Sequence, residues 1–292
     1  MKEALEQVAD ISVIIPVYRQ WDGLSRLLQN LAAQTLSPRR YTIVVVANEP
    51  PPAGLNVAEI AQNARMIVCL TPGSYAARNV GIEATMTPFV AFTDADCLPD
   101  PDWLKGLLLR LTTDPKTLWA GRIDMDTPAR ETLWAAYDII RGIPQKHYVS
   151  RGYGACANLG VARSVLEAVG GFDERRFSGG DAAFCRKAGQ AGFGIAYADE
   201  VRVVHPARTT ASEVITKARR VRGGQIRAGT MGRRMLWVLA SCVPPFRQTW
   251  RFLRKKAPFR RKAKALLVLY VLWGVTFWET VRLVGGSNAE RQ

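Results

Sequence analysis

Apolar and polar positions in the first half of the chain alternate between two periods. Ile11–Val17, 41–46, 66–70 and Phe89–Thr93 are short, β-branched or aromatic runs of buried-strand length. Between them, apolar residues recur at helical spacing. Leu24, Leu27, Leu28 and Leu31 follow Asp22, residues 57–64 form a short helical stretch, and 73–83 is a loop leading into a helix. Asp100 followed by Pro101 reads as the N-cap and first position of an amphipathic helix carrying Trp103, Leu104, Leu107, Leu108 and Leu111 on one face. Strands alternating with helices predict a doubly wound, parallel α/β sheet, which binds ligands at the carboxyl ends of its strands. Beyond residue 113 the pattern loosens to a strand at 118–125, a helix at 131–141, a glycine-rich stretch at 151–160 and a last strand at 201–204. The glycines fit either a plain loop or backbone lying close to a ligand or another segment.

Candidate chemistry concentrates at the predicted strand ends. Asp94-Ala95-Asp96 directly follows the fourth strand, and two carboxylates at i and i+2 can share one hard divalent cation or simply make a turn. Asp181, behind Gly179 and Gly180, starts a helix, as an N-cap or as a base presented at the sheet's mouth. His205 closes the last strand, as a structural residue or as a third metal ligand beside Asp94 and Asp96. No G-x-G-x-x-G follows the first strand and no P-loop motif occurs, which disfavours a dinucleotide or P-loop enzyme. Five scattered Cys without C-x-x-C spacing read as reduced thiols, and with two His a zinc site is disfavoured. Residues 1–7 carry no apolar leader.

Four stretches then stand in a specific order: 11–18 (Ile-Ser-Val-Ile-Ile-Pro-Val-Tyr), 76–82 (Ala-Ala-Arg-Asn-Val-Gly-Ile), 93–96 and 170–187. Together they resemble the family 2 glycosyltransferases of GT-A fold, over roughly residues 10–208. The resemblance implies a Rossmann-like mixed sheet with helices on both faces. It also implies a metal-dependent, inverting transfer of a sugar from a nucleoside-diphosphate sugar to a hydroxyl of a glycan or lipid-linked acceptor. Carried onto this sequence, Pro16, Val17, Tyr18, Asn48, Arg78 and Asp94 would bind the nucleotide-sugar. Asp94, Asp96 and His205 would hold Mn²⁺ or Mg²⁺, and Asp181 would deprotonate the acceptor. Two departures stand out: Ala47-Asn48 replaces the customary base-reading acid, and Gly180 replaces a Glu before Asp181. No Gln-x-x-Arg-Trp motif of processive synthases is present, which favours single transfers.

Charge divides the chain. Residues 208–264 contain 17 Lys or Arg and one acid, Glu213, for +16 of a total of +15, so the remainder is near −1. The expected organisation is a catalytic domain over 1–208 and a basic, helical region over 209–292. Within that region, residues 219–225 read as a glycine-broken helix start, either a lid over the diphosphate or a solvated face. Residues 265–278 form an apolar run of 14, shorter than the ~20 a transmembrane helix needs. Basic residues interleaved with Trp250, Phe252 and Phe259 suit peripheral or monotopic attachment at an anionic, cytoplasmic membrane face, where each cation contributes about 1 kcal/mol. A helical hairpin packed on the catalytic domain is the alternative. The expected setting is polysaccharide, glycolipid or cell-envelope assembly at the plasma (inner) membrane. Competing functions are an inactive scaffold and a nucleic-acid binder. The latter is disfavoured because the tail is too apolar for a solvated arm.

Overall fold

The computed structural model describes residues 9–176, 178–227 and 230–287, so residues 1–7, read above as lacking an apolar leader, lie outside the described residues. The described residues fall into two compact units. The first comprises those of Met1–Asp124, Ile143–Glu174 and Gly180–His205, and the second those of Met125–Gly142, Arg175–Gly179 and Pro206–Gln292.

One eight-stranded sheet forms the first unit: β1 (Ile11–Val17), β2 (Tyr41–Ala47), β3 (Ala64–Val68), β4 (Phe89–Thr93), β5 (Leu98–Pro99), β6 (Thr117–Met125), β7 (Asn158–Ala162) and β8 (Gly194–His205), in the order β3-β2-β1-β4-β7-β6-β8-β5. The first four run parallel, as the βαβ pattern requires, but β7 runs antiparallel to both β4 and β6, so the sheet is mixed. Successive side chains of β1 and β2 point to opposite faces. Val13, Ile15, Ile43 and Val45 pack toward α1 (Trp21–Ala32) and α4 (Trp103–Thr113). Ile14, Val44 and Val46 pack toward α3 (Ser74–Glu83), α7 (Arg163–Val169) and α8 (Gly180–Gln190). Helices cover both faces, and the acidic loops are left at the carboxyl ends of the parallel strands.

Several elements differ from their sequence signals for identifiable reasons. The helix expected over 57–64 stops after α2 (Val57–Ile60), because Ala64 already pairs with Ile43 of β2. Asp100 does not cap α4. The helix starts two residues later behind Asp102, and the Asp100 carboxylate instead accepts from Arg202 Nη1 at 3.0 Å. The end of the glycine-rich stretch runs into β7, a central strand whose signal is weakened by Asn158 and Gly160. A Cβ on Gly160 would sit 2.5 Å from Leu107 Cδ1, so this glycine lets α4 close onto the sheet.

The fully buried Asn158 ties this centre together. Its amide donates to Val201 O (2.8 Å) and Arg122 O (2.9 Å) and accepts from Trp103 Nε1 (2.9 Å). A Cβ on Gly121 would lie 2.3 Å from Asn158 Nδ2, so the glycine leaves room for the amide.

The second unit is helical: α5 (Leu133–Arg141), α9 (Ala211–Arg227), α10 (Met231–Cys242), α11 (Phe246–Leu253) and α12 (Phe259–Val284), with α6 (Gln145–Val149) belonging to the first unit. Residues 219–225 lie inside α9 and do not begin a helix, and Gly223 and Gly224 are buried within it. The apolar run at 265–278 extends in both directions into the 26-residue α12. Its two acid–base intruders, Glu279 and Arg282, pair with each other at 2.7 Å, which lets the helix continue through them. Ala265 and Leu269 pack with Ile140 and Phe252, and Val268 and Leu272 pack with Val214.

The stitching by Asn158 makes a direct prediction. Asn158→Ala leaves a buried indole N–H and two carbonyls without partners and should cost about 3 kcal/mol or more in urea unfolding. A change under about 1 kcal/mol would show that the amide does not organise the sheet.

Candidate active site

The carboxyl end of β4 turns sharply. Cys97 N–H donates to Asp94 O at 3.0 Å, closing a β-turn over Asp94-Ala95-Asp96-Cys97. Gly23 of α1 backs this turn: a Cβ there would meet Ala95 O at 3.1 Å, so its absence seats the turn on the helix. Asp96 Oδ2 accepts from Gln20 Nε2 at 2.9 Å, while Oδ1 is buried without a hydrogen-bond partner. His205 Nε2 lies 3.8 Å from that oxygen. Ligand atoms of Asp96, Cys97 and His205 all fall within 4.8 Å of one another. Burial, reinforced by Asp94 and Asp96, pushes the Cys97 thiol well up, which keeps it protonated and a poor ligand for a hard cation. The oxygen–imidazole pair of Asp96 and His205 is a donor set suited to Mn²⁺ or Mg²⁺, and the orphaned Oδ1 fits such an ion.

Asp94 stands outside that trio. Its Oδ1 is taken by Arg78 Nη2 at 2.6 Å, with Arg78 only 4% exposed. Burial opposes the guanidinium charge, but nearby acidic groups outweigh it and raise the Arg78 pKa. Cys156 also lies close, but its buried thiol is pushed well up and stays neutral, so the carboxylates of Asp94 and Asp181 do the holding. Asp181 lies in the first turn of α8, as its glycine-preceded position predicts. Cys156 N–H donates to its Oδ2 at 3.0 Å, and among the described residues none donates to Oδ1.

Tyr75 of α3 links these pieces and carries no sequence signal of its own. Its hydroxyl accepts from Gly180 N–H at 2.9 Å, its ring stacks on Phe172 (5.9 Å between centroids), and the Arg78 guanidinium sits 5.8 Å above it. A Cβ on Gly180 would fall 2.5 Å from Tyr75 Cζ. The departure from the familial Glu at 180 therefore has a steric basis: the ring occupies the space a side chain would need.

The remaining expected nucleotide residues cluster at the ends of β1 and β2. Pro16 and Val17 are buried, while Tyr18 is half-buried beneath the Arg19 guanidinium at 4.9 Å. Arg19 itself adopts φ 55°, and Glu49 fixes this turn by accepting from Arg19 N–H and Trp21 Nε1 at 2.6 and 3.0 Å. Asn48 is engaged internally: Nδ2 donates to Cys69 O and Thr71 O, and Oδ1 accepts from Gly73 N–H, each at 2.7 Å. With both amide hydrogens used, Asn48 shapes the loop that leads into α3.

The Tyr75–Gly180 contact can be tested by stability. Gly180 has an ordinary helical backbone, where Gly→Ala normally stabilises. Here Gly180→Ala should instead destabilise by about 1–3 kcal/mol through overpacking, and most of that cost should vanish in a Tyr75→Ala background. Stabilisation by Gly180→Ala alone would refute the contact.

Known proteins agree with this architecture. The sequence profile of "Glycosyl transferase family 2" matches residues 12–171. The chain is 31% identical over 278 residues to glycosyltransferase AglE of Haloferax volcanii, spanning 90% of this chain and 91% of that protein. It is 30% identical over 218 residues to the pre-mycofactocin glycosyltransferase of Mycobacterium tuberculosis, spanning 71% of this chain and 45% of that one. Among solved structures, the mannosyltransferase PcManGT from Pyrobaculum calidifontis in complex with GDP-Man and Mn²⁺ superposes with a TM-score of 0.62 at 16% identity, over 96% of this chain and 88% of its own. GalNAc-T7 with UDP, GalNAc and Mn²⁺ gives a TM-score of 0.56 at 16% identity, over 74% of this chain and 48% of that one. These likenesses establish the fold as GT-A, and the chain belongs to family 2 of the glycosyltransferases.

Proposed function

We propose that the carboxyl edge of the sheet transfers a sugar, with inversion, from a nucleoside-diphosphate sugar to a hydroxyl of a glycan or lipid-linked acceptor. The buried, unpartnered Oδ1 of Asp96 beside His205 carries this reading, because an orphaned carboxylate oxygen is costly unless a cation completes it. Asp96 and His205 would hold Mn²⁺ or Mg²⁺, as would Asp94 through the oxygen that Arg78 leaves free. A divalent cation bound there supplies Lewis-acid neutralisation of the leaving diphosphate. Structures of this fold holding Mn²⁺ with GDP-Man or with UDP are consistent with that donor class.

The chain's own residues then have distinct tasks. Arg78, fixed on Asp94, provides a preorganised positive charge beneath the donor site. Asp181 is held by one oxygen on Cys156 N–H and presents the other to the acceptor, whose hydroxyl proton it takes as the anomeric carbon is attacked. Backbone at Pro16 and Val17, the Tyr18 ring and the loop held by Asn48 form the nucleotide's bed.

We place the enzyme on the cytoplasmic face of an anionic membrane, peripherally or monotopically. Met235, Leu236 and Leu239 of α10 and Trp250 of α11 are exposed, as are Val271, Phe277 and Trp278 of α12. At 26 residues, α12 is about 39 Å long and by length and composition alone could cross a bilayer. One of its faces is committed to packing on α5 and α9, which favours lying in the interface over spanning it.

Thermal unfolding tests the donor site. The wild type and Asp96→Ala are melted with UDP, GDP, TDP or CMP, each with and without Mn²⁺. One nucleotide at about 100 times its Kd should stabilise the wild type by about 2.7 kcal/mol, only with Mn²⁺ and not in the variant. No shift with any nucleotide would overturn the reading.

A further inference from the structure

Helices α5, α9, α10, α11 and α12 of the second unit line an open-sided cavity of about 680 Å³. That is the size of a small-molecule site, ~300–1,000 Å³. Its wall is apolar, formed by Val214, Val221, Phe252, Leu269, Leu272 and Trp273. Four cations, Arg141, Lys217, Arg222 and Arg247, line it together with a single acid, Asp138.

That acid is already engaged. Asp138 is 2% exposed, and its Oδ2 accepts from the Arg208 N–H at 3.1 Å and the Arg208 guanidinium at 3.2 Å. Lys217 Nζ lies 3.8 Å from Oδ1. Arg141, Arg222 and Arg247 have no carboxylate within ion-pair distance among the described residues. Arg222 is the most exposed to this imbalance. Its Nε is buried without a partner, and its guanidinium makes one long bond, to Trp237 O at 3.4 Å. Burial lowers the Arg222 pKa, and burial together with Arg208 and Arg141 pushes Lys217 down to about 7 despite Asp138. Positive charge has been gathered beside an apolar hollow with too little negative charge to balance it, an arrangement that is costly unless an anion completes it.

We propose that this cavity binds an amphiphile with a phosphate-type anionic head, the head on Arg222 and the neighbouring cations and the hydrocarbon chain along the apolar wall. Guanidinium groups present paired N–H donors that match phosphate oxygens. Free phosphate would fill only a fraction of the volume and leave the Leu269–Trp273 wall uncovered. The site lies wholly within the second unit and does not depend on the transferase reading.

A photoreactive long-chain alkyl phosphate, cross-linked to the intact chain in nonionic detergent without nucleotide, tests the proposal. Peptide mapping should place saturable labels within 214–225 and 269–276. Unlabelled alkyl phosphate should displace them, whereas inorganic phosphate and an alkyl glucoside at equal concentration should not. Arg222→Gln should weaken binding about tenfold or more. Ala218→Trp, which fills the cavity, should abolish it, with both variants checked for wild-type melting. Should Arg222→Gln not fold, Arg247→Gln serves in its place. Equal displacement by the glucoside would overturn the proposal by showing no recognition of the head. Displacement by inorganic phosphate would show an anion site without a chain-binding cavity. Labels spread over exposed apolar faces, or insensitive to the variants, would reduce the binding to partitioning.

Discussion

A guanidinium inside a protein needs a carboxylate, and the Arg78–Asp94 pair is the contact on which the catalytic edge depends. Arg78 is 4% exposed and bonds Asp94 at 2.6 Å, so α3 is locked against the end of β4. Removing Asp94 would leave the buried Arg78 charge without its bonded carboxylate, a change of several kcal/mol in comparable sites. The pair also sorts the two acids of the turn. Asp94 is committed to Arg78, while Asp96 is left with an unpartnered oxygen facing His205. Tyr75, one helical turn before Arg78, extends the same scaffold to Gly180 N–H and so to the helix start that carries Asp181. Elements distant in sequence, at residues 75–78, 94–96, 180–181 and 205, thereby meet at one edge of the sheet.

Much of this was legible in the residues. The strands at 11–17 and 89–93 and the acidic turn beyond them appear with the expected bounds, because β-branched and aromatic runs leave no competing helical period. What escaped has a common cause in tertiary contact. β7 is interrupted by Gly160, whose missing side chain admits Leu107 of α4, and a glycine there weakens the local strand signal. Asp100 has the sequence of a helix cap but is drawn away by Arg202, 102 positions along the chain. Gln20, Gly23, Glu49 and Tyr75 support the site through geometry alone. Only Gly180 left a trace, as a departure from its family, and the Tyr75 ring explains it.

The second unit shows a different balance. Its charge excess was plain from composition, but composition does not distinguish solvated cations from those crowded around a hollow. The Arg222, Arg141 and Arg247 side chains line an apolar cavity, while the run at 265–278 reaches the length of a long helix by pairing Glu279 with Arg282. Charge and apolar surface are therefore combined at the level of side-chain placement, which suits a unit that meets amphiphiles.

The most direct test of the central claim is electron spin-echo modulation of Mn²⁺ added to the intact chain with a nucleoside diphosphate. The chain has two histidines, so the assignment is unambiguous. The account predicts a directly coupled imidazole ¹⁴N that disappears in His205→Gln and persists in His147→Gln. An Mn²⁺ signal without imidazole coupling, or one lost with His147, would contradict the placement of the metal at Asp96 and His205.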